Sequence, residues 1–138
     1  MTSGGSLRAL SHIDLSVSDR HTSADWYVTT LGFENHGDRS NDVTGLSWVH
    51  LVHPCGLQLG LVEHPDNPGD PFDERRTGLD HLSFGVASRD DIDELARQVA
   101  AAGSEADVNE TSHAVVLVLR DPDHIQVEVC YWKVSDLD

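Results

Sequence analysis

An internal repeat of about half the chain is the feature that most restricts how this sequence can fold. His12 and His81 stand 69 positions apart, and Pro54 and Pro122 stand 68 apart. Each pair falls at the same place in a matching order of elements. From Ser11 to Asp19 the chain alternates Ile13, Leu15 and Val17 with His12, Asp14 and Ser16, the period of two expected of a strand buried on one face. Asp80 to Ala87 repeats the pattern, with Leu82, Phe84 and Val86 on the core side and His81, Ser83 and Gly85 opposite. A helical stretch follows each strand. The first, Asp19 to Leu31, opens on Asp19, Thr22 and Ser23, offers Trp26, Tyr27 and Leu31 as apolar contacts and stops at Gly32. The second, Ser88 to Ala102, carries Ile92, Leu95, Ala96 and Val99 at i, i+3, i+4, i+7 spacing and stops at Gly103. Three strands then close each half, near 33–38, 46–52 and 57–63 and near 104–109, 113–120 and 125–130. The order is βαβββ twice: an α+β chain of two tandem modules, 8–63 and 79–132, related by a pseudo-two-fold axis within a single domain spanning 1–138.

Residues 64–78 join the modules and are dense in proline, glycine and charge, which reads as a linker. A stretch of this length without regular structure is also a place for a lid, with Phe72, Arg75 or Arg76 as its working residues. The 138 residues, 38% hydrophobic and 24% charged, suffice for one independent core. No run approaches the roughly 20 apolar residues of a membrane helix. Met1 to Ser6 lacks the features of a secretion signal and reads as a frayed tail, so a cytoplasmic protein is expected. Cys55 and Cys130, without C-x-x-C spacing, read as reduced, mostly buried thiols. The net charge of −15 repels a phosphate backbone, which argues against nucleic acid and favours a cation or a small molecule as partner.

The candidate chemistry lies on the polar faces of the strands. Each repeat histidine occupies the second position of its module's first strand. In the last strand, Ile125, Val127 and Val129 point to the helices while Gln126, Glu128 and Cys130 take the other side. A carboxylate inside such a strand is costly to desolvate unless it is paired or binds a metal. Two imidazoles and one carboxylate form the facial triad associated with non-haem Fe(II), and Zn²⁺, Mn²⁺ and other divalent ions accept the same donors. His12, His81 and Glu128 are therefore the candidate ligands of one ion. His50 and Trp48 share a parity that faces the same cleft, and His113 and Tyr131 fall near strand ends. His50, His113 and Tyr131 are candidate acids or bases beside the ion. No glycine-rich phosphate loop, G-x-S-x-G elbow or H-E-x-x-H helix occurs.

Four segments, His12-Ile-Asp-Leu-Ser-Val, Trp26-Tyr-Val-Thr-Thr-Leu-Gly-Phe33, Gly78-Leu-Asp-His-Leu-Ser-Phe-Gly-Val86 and Arg120-Asp-Pro-Asp-His-Ile-Gln-Val-Glu128, resemble the vicinal oxygen chelate superfamily of glyoxalases, bleomycin-binding proteins, fosfomycin-resistance enzymes and extradiol dioxygenases. The likeness spans about residues 8 to 132. It implies that the two modules form a cupped mixed sheet and that a metal is held by first and last strands, at places matching His12, His81 and Glu128. The fourth place of the glyoxalase I pattern falls on Gly60, which has no side chain, with Gln58 one pleat away on the same face. A three-donor site is closer to the extradiol dioxygenases.

The resemblance thus implies a metal-dependent enzyme acting on a small oxygen-bearing substrate, in its most specific form Fe(II)-dependent cleavage of a catechol-like compound. Zn²⁺, Ni²⁺ or Mn²⁺ at the same site would suit isomerase, epimerase or lyase chemistry. The alternative from another class is a metal-free protein that sequesters an aromatic drug against Trp48. Such families often form homodimers, some by exchanging modules, so the halves of the site come either from one chain or from two.

Overall fold

Residues 5–133 are described by a computed structural model of the chain; the first four and last five positions, which include most of the expected N-terminal tail, lie outside the described residues. Strand β1 (Ile13–Ser16) leads into helix α1 (Arg20–Leu31), then β2 (Glu34–Ser40), β3 (Ser47–Val52) and β4 (Gln58–Glu63). The second half repeats this as β5 (Leu82–Gly85), α2 (Arg89–Ala101), β6 (Ala106–Glu110), β7 (Ala114–Arg120) and β8 (Gln126–Trp132). The helices begin where side-chain caps satisfy their free N–H groups. Asp19 accepts from the backbone of His21 and Thr22, each at 3.1 Å, and Ser88 accepts from Asp91 at 3.2 Å. Gly32 ends α1 in the left-handed region (φ 78°), where a side chain would be strained.

Each module forms a four-stranded mixed sheet, ordered β1-β4-β3-β2 and β5-β8-β7-β6, in which the first strand runs parallel to the last and the other pairs are antiparallel. The edge strands β2 and β6 are shifted from the sequence reading, running 34–40 and 106–110 where 33–38 and 104–109 were expected. Their residues are nearly all exposed, so no apolar alternation marks their ends, and β2 carries a register shift between Asn35 and Asp38.

Leu15, Val49, Leu51, Leu59 and Leu61 of the first sheet and Val115, Leu117, Val127 and Val129 of the second are buried in one core with Tyr27, Ile92 and Val99 of the helices. Helix α1 packs on its own sheet, α2 on the other, and the helices pack on each other, while no strand of one sheet meets a strand of the other. The helices therefore lie between the sheets, and the polar face of each sheet turns outward. Among the contacts that fasten the halves, Tyr27 Oη donates to Asp121 Oδ2 at 2.9 Å in the interior, Ser18 N–H donates to Asp123 Oδ2 at 3.0 Å, and the rings of Phe33 and Phe84 meet edge-on at 5.8 Å.

The 64–78 segment has no helix or strand, but it is tied down. Phe72 packs against the core and its N–H donates to the Asp123 carbonyl at 2.8 Å, and Glu74 pairs with Arg120 at 2.8 Å. Phe72 is thus an anchor and not the free tip of a lid. Cys130 is buried as expected, whereas Cys55 is exposed at the β3–β4 turn, where its thiol lies 2.9 Å from His53 Nδ1. No helix among the described residues is long and apolar enough to cross a membrane.

Candidate functional site

Strand alternation places the chemistry-bearing side chains on the outward faces. On the second sheet, β5 and β8 run side by side with Ser83 opposite Glu128, so His81, just before β5, reaches Glu128. His81 Nε2 stands 2.7 Å from Glu128 Oε2, and its other ring nitrogen is 2.7 Å from Asp80 Oδ1. Each ring nitrogen of His81 thus faces a carboxylate oxygen at hydrogen-bonding distance, which fixes the orientation of the ring toward Glu128. The Glu128 side chain is 15% exposed and that of His81 40%, so the pair is open to solvent on one side.

The matching face of the first sheet carries His12. Its Nδ1 lies 3.0 Å from Ser11 Oγ, the counterpart of Asp80, and its Nε2 is 3.8 Å from Asp14 Oδ2. His12, Asp14, Arg39, Trp48, His50, Gln58 and Gly60 line a shallow cavity of about 240 Å³. His50 Nε2 is 3.0 Å from Gln58 Oε1. Arg39 stands opposite Trp48 on the neighbouring strand, and its side chain has no ion pair or hydrogen bond among the described residues. In a chain with 24 acidic residues, an arginine left unpaired on a polar face is available to a ligand.

Of the residues singled out from sequence, His81 and Glu128 come together, and His12, Trp48 and His50 share a second location. The expected grouping of His12 with His81 and Glu128 does not form within one chain. Among the described residues no set of three or more His, Cys, Asp or Glu side chains is gathered closely enough to hold a metal ion. The reason is the layering: with helices between the sheets, the two polar faces point apart. Tyr131 is three positions from Glu128 and therefore on the opposite side of β8, packed against the core. His113 precedes β7, whose Val118 lies opposite Glu128; five residues of strand rise put it roughly 16 Å away. Neither stands beside the His81–Glu128 pair. Sequence reasoning passed over Asp14, Arg39, Ser11 and Asp80. The parity of Asp14 with His12 was visible, but its neighbour across the sheet was not.

The chain matches the family Glyoxalase/Bleomycin resistance protein/Dioxygenase superfamily over residues 9–129. A crystal structure of a glyoxylase/bleomycin resistance protein/dioxygenase domain from Frankia sp. EAN1pec is similar with a TM-score of 0.84 and 37% identity, covering 94% of this chain and 96% of that one. The fosfomycin resistance protein FosX of Listeria monocytogenes, complexed with Mn(II) and sulfate, shares the fold at a TM-score of 0.68 and 19% identity, covering 96% and 98%. The uncharacterized protein YqjT of Bacillus subtilis is 28% identical over 129 residues, 86% of this chain and 94% of that protein.

Proposed function

Because the chain belongs to the Glyoxalase/Bleomycin resistance protein/Dioxygenase superfamily, we propose that it is an enzyme that holds one divalent metal ion through His12, His81 and Glu128 and chelates a small substrate through neighbouring oxygens. The observation that carries this reading is the approach of His81 Nε2 to Glu128 Oε2 at 2.7 Å on an outward sheet face. Two donors bound at right angles to an ion at about 2.1 Å lie about 3 Å apart, so the pair is already near a ligating separation. Imidazole and carboxylate suit Fe(II), Zn²⁺, Mn²⁺ and Ni²⁺ alike, and the fold neighbour from Listeria is a Mn(II) complex.

His12 would join the pair when the polar face of a first module meets that of a second module from another copy. The working unit we propose is accordingly a homodimer with each site shared between chains. The ion supplies Lewis acidity and a template for two substrate oxygens. Asp80 and Ser11 hold the ring nitrogens that face away from it. With Gln58 accepting from His50 Nε2, Nδ1 is the nitrogen free to take a proton. Arg39 would pair with an acidic group on the substrate, and Trp48 forms a flat wall beside it. A cytoplasmic setting agrees with the free thiols of Cys55 and Cys130.

The most specific version, Fe(II)-dependent ring cleavage of a catechol-like compound, rests on three donors leaving three positions of an octahedral ion open. A second version, isomerase or lyase chemistry with Mn²⁺, Zn²⁺ or Ni²⁺, is favoured by a further carboxylate, Asp14, on the His12 face. Anaerobic loading with each metal, followed by oxygen-electrode measurements on a panel of catechols, separates them. Oxygen consumption with a diol is the dioxygenase outcome, and none with any diol ends that version. Aromatic-drug binding that is unchanged by chelator and by His81→Ala, without uptake of any divalent ion, would end the enzymatic reading altogether.

A further inference from the structure

The cavity on the first sheet is lined by two opposite charges that do not neutralise each other, Asp14 and Arg39. Asp14 on β1 lies opposite Gly60 on β4 and, beyond it, His50 on β3; Arg39 on β2 lies opposite Trp48 on β3 and, beyond it, Val62 on β4. Three strand spacings and an offset of two residues put the backbones of Asp14 and Arg39 roughly 16 Å apart, beyond the combined reach of the two side chains. The Arg39 side chain has no partner among the described residues, and Asp38, the acid next to it in the chain, is held by Arg20 at 3.1 Å and His21 at 2.9 Å. Asp14 has one ion-pair contact among the described residues, His12 Nε2 at 3.8 Å, and its side chain is 52% exposed.

The ground between the two charges is open because position 60 has no side chain. A Cβ there would lie 2.2 Å from Asp14 Oδ1 and 3.6 Å from Trp48 Cδ1. Glycine thus lets the Asp14 carboxylate and the Trp48 indole settle against the same spot on β4. A carboxylate beside an indole suits an ammonium group, which both attract. On the other side of that indole, the unpaired guanidinium of Arg39 offers a fork for a carboxylate. The cavity volume of about 240 Å³ falls below the roughly 300–1,000 Å³ of sites for drug-sized molecules, so the ligand that fits is small.

We propose that this cavity binds a small zwitterion of the α-amino acid class, its carboxylate on Arg39 and its ammonium between Asp14 and Trp48. This deepens the part given to Arg39 above and needs no ion, since every group it uses lies on one sheet face of one chain. A simple acid would satisfy Arg39 but lie beside the Asp14 carboxylate. A simple amine would leave Arg39 without a partner. A molecule carrying both charges on neighbouring atoms uses both groups and repels neither. His50, whose Nε2 is engaged by Gln58 at 3.0 Å, and His12 border the cavity without being required.

The test uses the full-length protein stripped of metal ions and three matched probes: norvaline, pentanoate, which lacks the amine, and butylamine, which lacks the acid. Binding is read from the indole N–H resonance of Trp48, identified by its loss in Trp48→Phe. Norvaline should shift that resonance and saturate at a concentration at least about tenfold lower than either relative, the factor expected for one more charge-assisted contact. Arg39→Gln should erase the advantage of norvaline over butylamine, and Asp14→Asn its advantage over pentanoate, with the remaining amide resonances in place. No shift with norvaline, equal affinities for the three probes, or a preference that survives both substitutions overturns the proposal. The metal site stands or falls on ion binding, on which none of these outcomes bears.

Discussion

At the residue scale the fold hangs on a few polar groups whose loss the core cannot absorb. Tyr27 is fully buried, yet its hydroxyl is satisfied by Asp121 across the module boundary, while Asp121 Oδ1 accepts from the backbone N–H groups of Asp123 and Ile125, both at 2.9 Å. Burial pushes the Asp121 carboxyl up despite those bonds, and burial together with the Asp121 charge pushes the Tyr27 phenol up. Tyr27→Phe leaves Asp121 Oδ2 in the interior without its donor. An unfolding free energy lower by about 1–3 kcal/mol is expected in urea titration; a change within error would mean that the pair does not fasten the modules. The sheet faces taken by His12, His81 and Glu128 were legible in the sequence, because period-two alternation fixes which side of a strand a residue occupies. The placing of Asp14 beside Gly60 was not legible, because it depends on a cross-strand register that no single strand encodes.

At the scale of elements, the paired edges show how surface charge secures segments that have no apolar pattern. Glu74 on the connecting segment is held by Arg120 of β7, and Glu110 at the end of β6 by Arg89 of α2 and Lys133. Hydrogen bonds from Arg120, and from Arg89 and Lys133, keep the two carboxyls down at about 2. A folded-state pKa below the unfolded value of about 4.3 means that these carboxylates stabilise the fold above that pH. Their contribution is lost as pH falls from about 4.3 through 2. Urea midpoints measured across that window should decline, and Glu74→Gln should flatten the decline; an unchanged slope would show that the ion pair does not hold the segment. Central strands were legible because burial imposes alternation on them. The ends of β2 and β6, exposed along nearly their whole length, had no such constraint, and the anchoring of Phe72 depends on a β7–β8 turn more than 40 positions away.

For the molecule as a whole, the repeat was legible as two modules but their mutual arrangement was not. Either module buries its apolar face against a helix, and sequence does not say whether the polar faces then turn inward or outward. In this chain they turn outward, with half of the candidate site on each, and the shared site proposed above requires a second copy. The direct test mixes His12→Ala and His81→Ala proteins, unfolded together and refolded, and measures divalent-ion binding capacity. Each variant alone should bind none. Random pairing makes half of the dimers mixed, and each mixed dimer keeps one intact site of two, so about a quarter of wild-type capacity should return. No recovery above the separate variants would contradict a site shared between chains.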